Sequence, residues 1–424
     1  MTTSGSPSVH AAIARFLTPR RLRAQAFVLA LCLWGTCAVD YASPGIFDRA
    51  GNIKFQDFIQ FPIAARLIAQ GRAAELYNER VEAAEMRAIV GQTRVRLPYL
   101  YGPQVALFFV PFSRLPFLAQ AAIWTVLSLL FYLACISVVS SACAELVPYR
   151  GLVLLGAIAF PPLFHFFVRG QLSVLVMGCF VAAYFAWRAG RETLAGLALG
   201  LLAFKPQFLV AIPLVLLFAR AWKSLFALTL SAAAQLAFTT LYFGSSVMRS
   251  YFSTLVLSAG SPSAVELSLS SIQMHSLRPF WSLLIPWPRV VFVLYALSSI
   301  AAILMAVAIW KSSAPLAIRF SALTLAAVLV NPHLFIYDLL VLAPAFLWLA
   351  DWALVNSEHP SASPLRILLY LAFILPLLGP LSLWTHLQFS VPVFAALLWL
   401  LLRISRESIP TAGHKLASAE SRVV

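Results

Sequence analysis

Acids are scarce in this chain, five Asp and ten Glu among 424 residues, so each can be weighed by its surroundings. Asp57 stands out. It lies in DFIQFPIAARLIAQG, within a polar stretch from Ser43 to Leu100 that interrupts an apolar chain directly after its first hydrophobic run. Two readings are open. A carboxylate near a helix N-terminus is stabilised by the helix dipole. A carboxylate at a water–lipid boundary can also be a general base, provided it is ionised and within hydrogen-bond reach of an acceptor hydroxyl. Lys205, in AFKPQF, either snorkels from a helix end or, held between broken half-helices, binds a phosphate or a phosphoryl leaving group. Arg169 in FVRGQL offers a second cation, with Gln171 as a neutral donor or acceptor.

The turn NPHLFIYDLL (331–340) carries His333 and Asp338. Asp338 can cap the next helix and His333 can be an ordinary interfacial side chain; as a pair they can also contact a sugar or a phosphate. A later polar loop, 243–287, contains SIQMHSLRPFW with His275 and Arg278, and reads either as a lid or substrate wall or as a plain connector. A His and an Asp five residues apart make a weak metal signal, and no metal site is expected. The five cysteines show no CxxC spacing, so neither a disulfide framework nor structural zinc is expected. No P-loop, GxGxxG, HExxH or GxSxG pattern is present, which argues against nucleotide-driven chemistry.

The elements that must position these groups are written for lipid. The chain is 61% hydrophobic and 11% charged, with mean hydropathy +0.88. Apolar runs of about 17–25 residues are what a bilayer core demands of helices. The expected fold is all-α, a polytopic membrane helix bundle of about 12 segments. Spans are expected near 25–42, 116–142, 151–168, 171–187, 224–242, 288–310, 316–331, 337–355, 366–384 and 390–404. The stretch 193–219 is expected to form two short legs of a hairpin, because Pro206 disfavours helical geometry at Lys205 and a hairpin returns Arg220 and Lys223 to the cytoplasmic side. In the first outer loop, Pro62 suits a first helical turn, and Phe58, Phe61, Ala65 and Ile68 share one face. A second amphipathic piece covers 73–90, and both are expected to lie along the membrane surface. The net charge of +15 is attributed to cytoplasmic Lys and Arg rather than to nucleic-acid binding, since no basic–aromatic module is visible.

The segment PRRLR before AFVLALCLWGTCAV fits an uncleaved first span held inside by its positive flank, although a signal peptide has the same outline. The expected organisation is a cytoplasmic N-terminal segment (1–24), a membrane domain (25–404, first outer loop 43–100) and a disordered cytoplasmic tail (405–424). In this orientation Asp40, Asp57, Arg169, Gln171, Lys205, His275, Arg278, His333 and Asp338 all fall at or beyond the outer ends of spans. Ionisable groups at membrane depth usually mark a site.

Taken together, DFIQFPIAARLIAQGRAAELY (57–77), YGPQVALFFVPFSRLPFLAQAAIW (101–124), RGQLSVLVMGCFVAA (169–183), GLALGLLAFKPQFLVAIPLVLL (196–217) and HLFIYDLLVLAPAF (333–346) resemble glycosyltransferase family 87, whose members use polyprenyl-phosphate sugars and have the membrane-embedded C-type architecture. The resemblance covers about 25 to 404. It implies that Asp57, in the first outer loop, deprotonates an acceptor hydroxyl that attacks the anomeric carbon with inversion. It also implies that Lys205 and Arg169 stabilise the departing polyprenyl phosphate. Family members commonly transfer mannose and some transfer arabinose-type sugars. The implied partners are a polyprenyl-phosphate-linked sugar donor, a glycolipid or glycan acceptor and membrane lipids, with no cofactor. The implied location is a bacterial inner membrane with the active site facing the periplasm. The chain departs from the family at Phe61–Pro62, where relatives more often place a small residue after the aromatic, and at QMHS near 273–276. Two other readings compete with a mannosyltransferase: a lipid or solute transporter or flippase, suggested by the broken helix at 193–219, and a surface-polysaccharide ligase or polymerase.

Overall fold

The computed structural model describes residues 17–91, 97–260 and 272–407; most of the N-terminal segment and of the tail expected over 405–424 lie outside the described residues. The first helix, α1 (Pro19–Tyr41), starts earlier than the apolar run that announces it. Thr18 caps it by accepting from the Arg21 amide, and Pro19 takes the first helical position, where its missing N–H costs nothing. The basic flank is therefore already helical.

The chain then builds a lobe outside the bundle. A short turn, Gln56–Ile59, leads into α2 (Gln60–Ala69). Phe58, Phe61 and Ala65 are buried as expected, but so are Ile63, Ala64 and Leu67. Helix α2 is therefore not a one-faced surface helix; it is the centre of a second hydrophobic core. Phe61 stacks on Phe109 at 5.0 Å, and Tyr99 and Tyr101 close around it. The second amphipathic piece begins later than expected: Asn78 caps α3 (Glu79–Val90) by accepting from the Arg80 and Val81 amides, and only a short 3-10 turn, Ala73–Glu75, precedes it.

Next come α4 (Phe117–Ser141), then α5 (Arg150–Ile158) and α6 (Pro161–Arg169). The last two belong to a pair bent by 44°. Pro161 and Pro162 open α6 and cannot donate the hydrogen bonds that would continue α5. After α7 (Ser173–Arg188) the expected hairpin appears as α8 (Glu192–Gly200) and α9 (Ala211–Phe218). Lys205, between two 3-10 turns, has φ −134° and ψ 69°, outside the helical region that a following proline disfavours. The Ser224 hydroxyl donates to the Glu192 carbonyl at 2.9 Å, so the chain has returned to its starting level by α10 (Trp222–Phe243). Helices α8 and α10 touch through Gly196 and Gly200, where an added Cβ would lie 2.2 Å from the Ser224 carbonyl oxygen and 2.4 Å from that of Leu228. Small residues four apart allow this backbone approach in lipid.

Helices Ser245–Gly260 and Leu277–Leu284 lie in the region read as the 243–287 loop; later come α11 (Pro288–Lys311), α12 (Leu316–Val330), a 3-10 turn Ile336–Val341 leading into α13 (Leu342–Val355), α14 (Ala362–Ile374), a short helix Ser382–Thr385 and α15 (Ser390–Arg406). Helix α12 is buried at every residue from Phe320 to Val330, as expected of a predominantly apolar segment enclosed by other helices. Helix α11 instead exposes Val293, Leu297, Ile300 and Leu304, an apolar stripe at helical spacing suited to lipid.

Among the described residues six helices are long and apolar enough to cross a membrane, seven if the bent pair counts as one span; Ser173–Arg188, Glu192–Phe204, Pro206–Phe218 and Leu316–Val330 are shorter apolar helices. Among the described residues there is no sheet, only two isolated bridges, Phe47 with Ile53 and Met274 with Phe335. The protein is an all-α integral membrane protein.

Candidate active site

Asp57 is presented by a strained turn. Phe55 adopts the left-handed conformation, φ 53°, uncommon for a bulky residue and a local cost. The Tyr41 hydroxyl accepts from the Phe55 amide at 3.2 Å and donates to the Val168 carbonyl at 3.1 Å, fastening the turn to the end of α6. There Gly170, φ +68°, reverses the chain, and a Cβ on it would lie 2.6 Å from the Phe58 Cβ. Only glycine satisfies both the conformation and the contact. Its two neighbours then face the acid. Arg169 Nη1 lies 3.4 Å from Asp57 Oδ1, and Gln171 Nε2 donates to Oδ2 at 2.8 Å.

Around this pair is a polar shell. Arg169 also donates to Gln56 Oε1 at 3.1 Å and to Gln273 Oε1 at 3.3 Å. The Tyr101 hydroxyl donates to Gln171 Oε1 at 2.7 Å, and Trp124 Nε1 donates to the Gln171 carbonyl at 3.1 Å. Gln171 is buried and its amide is thereby fixed in one orientation. The Asp57 side chain keeps 13% exposure and that of Arg169 25%, so both groups remain reachable. Burial pushes the Asp57 carboxyl above the usual carboxylate range, opposed by the Arg169 charge, the Gln171 hydrogen bond and, from further off, Lys205. A carboxylate tuned upward is a stronger base than a free one.

A second polar cluster sits beside the first, in the bundle. Lys205 Nζ pairs with Asp338 Oδ1. The Ser173 hydroxyl donates to the same Asp338 oxygen at 2.6 Å and accepts from Lys205 at 3.2 Å, while Lys205 Nζ lies 5.3 Å from the centre of the Tyr337 ring. All three polar side chains are buried. Lys205 is therefore neither a snorkelling cation nor an open one. Asp338 does not cap α13 either, whose N-cap is Val341 without a side-chain bond; its charge is taken by Lys205.

Among the described residues His333 and Asp338 make no hydrogen bond or ion pair with each other. Asp338 points into the bundle, whereas His333 is exposed and packs edge-on against Phe335 at 4.8 Å. His275 turns inward too: its Nδ1 lies 2.7 Å from Ser390 Oγ, and burial pushes its imidazole down to about 3, so it is neutral. The backbone around it pairs with the 333–338 turn, His275 N to the Leu334 carbonyl at 2.9 Å and Ile336 N to the Gln273 carbonyl at 2.8 Å. This end of the 243–287 loop is thus pinned to the bundle; its residues 261–271 lie outside the described residues. Arg278 is half-buried and makes no ion pair among the described residues. Asp40 stays apart, accepting from the Arg49 amide at 2.9 Å.

Sequence reasoning did not single out Tyr101, Ser173, Gln56 or Gln273. These are neutral residues whose types carry no charge signal. Gln56, next to Asp57, and Gln273, within the QMHS run, were the closest to being legible.

A buried lysine–aspartate ion pair, a guanidinium and an oriented carboxylate thus meet at one end of an apolar helical bundle. The family model of glycosyltransferase family 87 matches residues 99–332, more than half of the chain, and the chain belongs to that family. It is accordingly a membrane glycosyltransferase, an enzyme that takes a sugar donor and an acceptor. The matched region contains Tyr101, Arg169, Gln171, Ser173, Lys205, His275 and Arg278, whereas Asp57, His333 and Asp338 lie outside it. No curated protein and no solved structure gives a significant match to the chain.

Proposed function

We propose that the enzyme transfers a hexose, with mannose the first candidate, from a polyprenyl-phosphate sugar to an acceptor hydroxyl at the non-cytoplasmic face of a bacterial inner membrane. The observation that carries this reading is the Asp57 carboxylate, partly open to solvent and oriented by Gln171 beside Arg169. In the proposed step the acceptor oxygen attacks the anomeric carbon and its proton passes to Asp57. The bond from the anomeric carbon to the phosphate oxygen breaks, its electron pair leaves with the polyprenyl phosphate, and the configuration inverts. Arg169 and Arg278 offset the charge of the departing phosphate. Lys205, neutralised by Asp338, contributes its field and holds the broken helix in place. Gln171 aims the base, exposed His333 contacts the sugar or the acceptor, and His275 shapes the wall through Ser390. The C-type architecture of about 12 segments fits the six or seven long spans together with the shorter apolar helices. The outward orientation is supported by the short turns 332–337 and 385–389, which carry no Lys or Arg.

The test is transfer from a panel of polyprenyl-phosphate sugars by the purified full chain, comparing wild type with Asp57→Asn. Product from the mannosyl donor, lost in the variant, supports the reading. Full activity in the variant removes Asp57 as the base, and transfer only from another donor removes mannose.

A further inference from the structure

A second set of charges lies at the opposite ends of the same helices. The turns joining α7 to α8, α9 to α10 and α11 to α12 surround a cavity of about 760 Å³ whose cations are Arg188, Arg220, Lys223 and Arg319, against one acid, Glu192. Among the described residues none of these four cations forms an ion pair. Like charges around one cavity raise each other's energy, and low-dielectric walls strengthen that repulsion. An anion in the middle relieves it.

Other features point the same way. Arg319 is half-buried, its Nε has no partner, and its guanidinium lies 5.9 Å from the centre of the Trp310 ring. Helices α8, α10 and α12 all begin at this cavity, at Glu192, Trp222 and Leu316, so three sets of unpaired N-terminal amides and dipoles favour negative charge there. Arg220 is held in the left-handed conformation, φ 59°, a strain that turns the chain at the rim. Trp187 and Trp222 also line the cavity, as aromatic residues do at headgroup level. Beside it Phe218 and Phe226 are exposed, an apolar flank fit for acyl chains. The cavity is separate from the Asp57 region: α7 spans the distance from Ser173 to Arg188, roughly 24 Å at the helical rise.

We infer that this cavity binds a phosphate-bearing anion, the headgroup of an acidic phospholipid, at the membrane face opposite Asp57. Basic pockets between membrane helices select such headgroups, and the volume suits one.

The experiment uses the full chain in nanodiscs of equal phosphatidylglycerol and phosphatidylcholine, with lipids retained on release counted by native mass spectrometry. Wild type is expected to keep phosphatidylglycerol preferentially. Arg188→Gln with Lys223→Gln, both exposed positions, should lower that retention roughly 30-fold for two lost surface charges, and Arg188→Lys with Lys223→Arg should restore it. Equal retention of the two lipids by wild type overturns the inference, as does an equal loss with Arg289→Gln at the far end of α11. Displacement of phosphatidylglycerol from wild type by inorganic phosphate keeps the phosphate site and identifies free phosphate as its other occupant.

Discussion

Replacing Gln171 by Leu should move the acid limb of the pH–rate profile to higher pH. The Gln171 amide donates to Asp57 Oδ2 at 2.8 Å from a buried position, where water does not readily take its place. A hydrogen bond to an ionised group contributes about 1.5–3 kcal/mol, and one pKa unit corresponds to about 1.4 kcal/mol. Loss of the donor should therefore move the acid limb of kcat/KM up by about 1–2 pH units. The sign follows from which form is stabilised: the amide N–H favours the carboxylate, so its removal favours the acid and a higher pH is needed to generate the base. The assay is kcat/KM for transfer from a polyprenyl-phosphate sugar across the acid limb. Tyr101→Phe supplies the graded control, since it frees the Gln171 amide but leaves its N–H in place, and should shift the limb in the same direction by less. A uniform fall at every pH, with the limb unmoved, would refute the argument and make Gln171 a substrate contact rather than a residue that positions the base.

Four further outcomes are expected. Asp57→Asn should lower the single-turnover transfer rate by about 10²–10⁴ while donor binding survives. Lys205→Met should cost about 3–5 kcal/mol because Asp338 is left charged in a buried site; adding Asp338→Leu should recover part of that loss, and a strictly additive double-mutant cycle by thermal unfolding in detergent would contradict the pairing. Gly170→Ala should destabilise the chain by at least about 1 kcal/mol, through its φ of +68° and the Phe58 contact at 2.6 Å, and should also lower transfer because Arg169 and Gln171 flank it. Burial pushes Glu82 up to about 7, with its bond from the Tyr99 amide opposing. The folded lobe then holds this proton more tightly than the unfolded chain, so stability falls as pH rises from the ordinary Glu range to about 7. Hydrogen exchange in α3 should show that slope, and Glu82→Gln should flatten it.

The membrane class, the helical fold and the break at Lys205–Pro206 were all legible in the chain itself. Those properties are local: a bilayer demands apolar runs whose backbone groups are paired within the segment, and a proline restrains only its neighbours. The end of the bundle that holds the polar residues was legible for the same reason, since hydropathy places every charge relative to its own span. What each charge touches was not. Asp338 reads equally as a helix cap or a ligand contact until Lys205 is found beside it, and the chain alone does not show that His333 is exposed while Asp338 is buried. Helix α2 reads as a surface helix until Tyr99, Tyr101 and Phe109 cover its other faces. The grouping of Asp57 with Arg169 and Gln171, and of Arg188, Arg220, Lys223 and Arg319 around one cavity, depends on which helix ends meet. That is decided by packing between segments distant in sequence, where burial makes any unpaired charge expensive and so selects its neighbours.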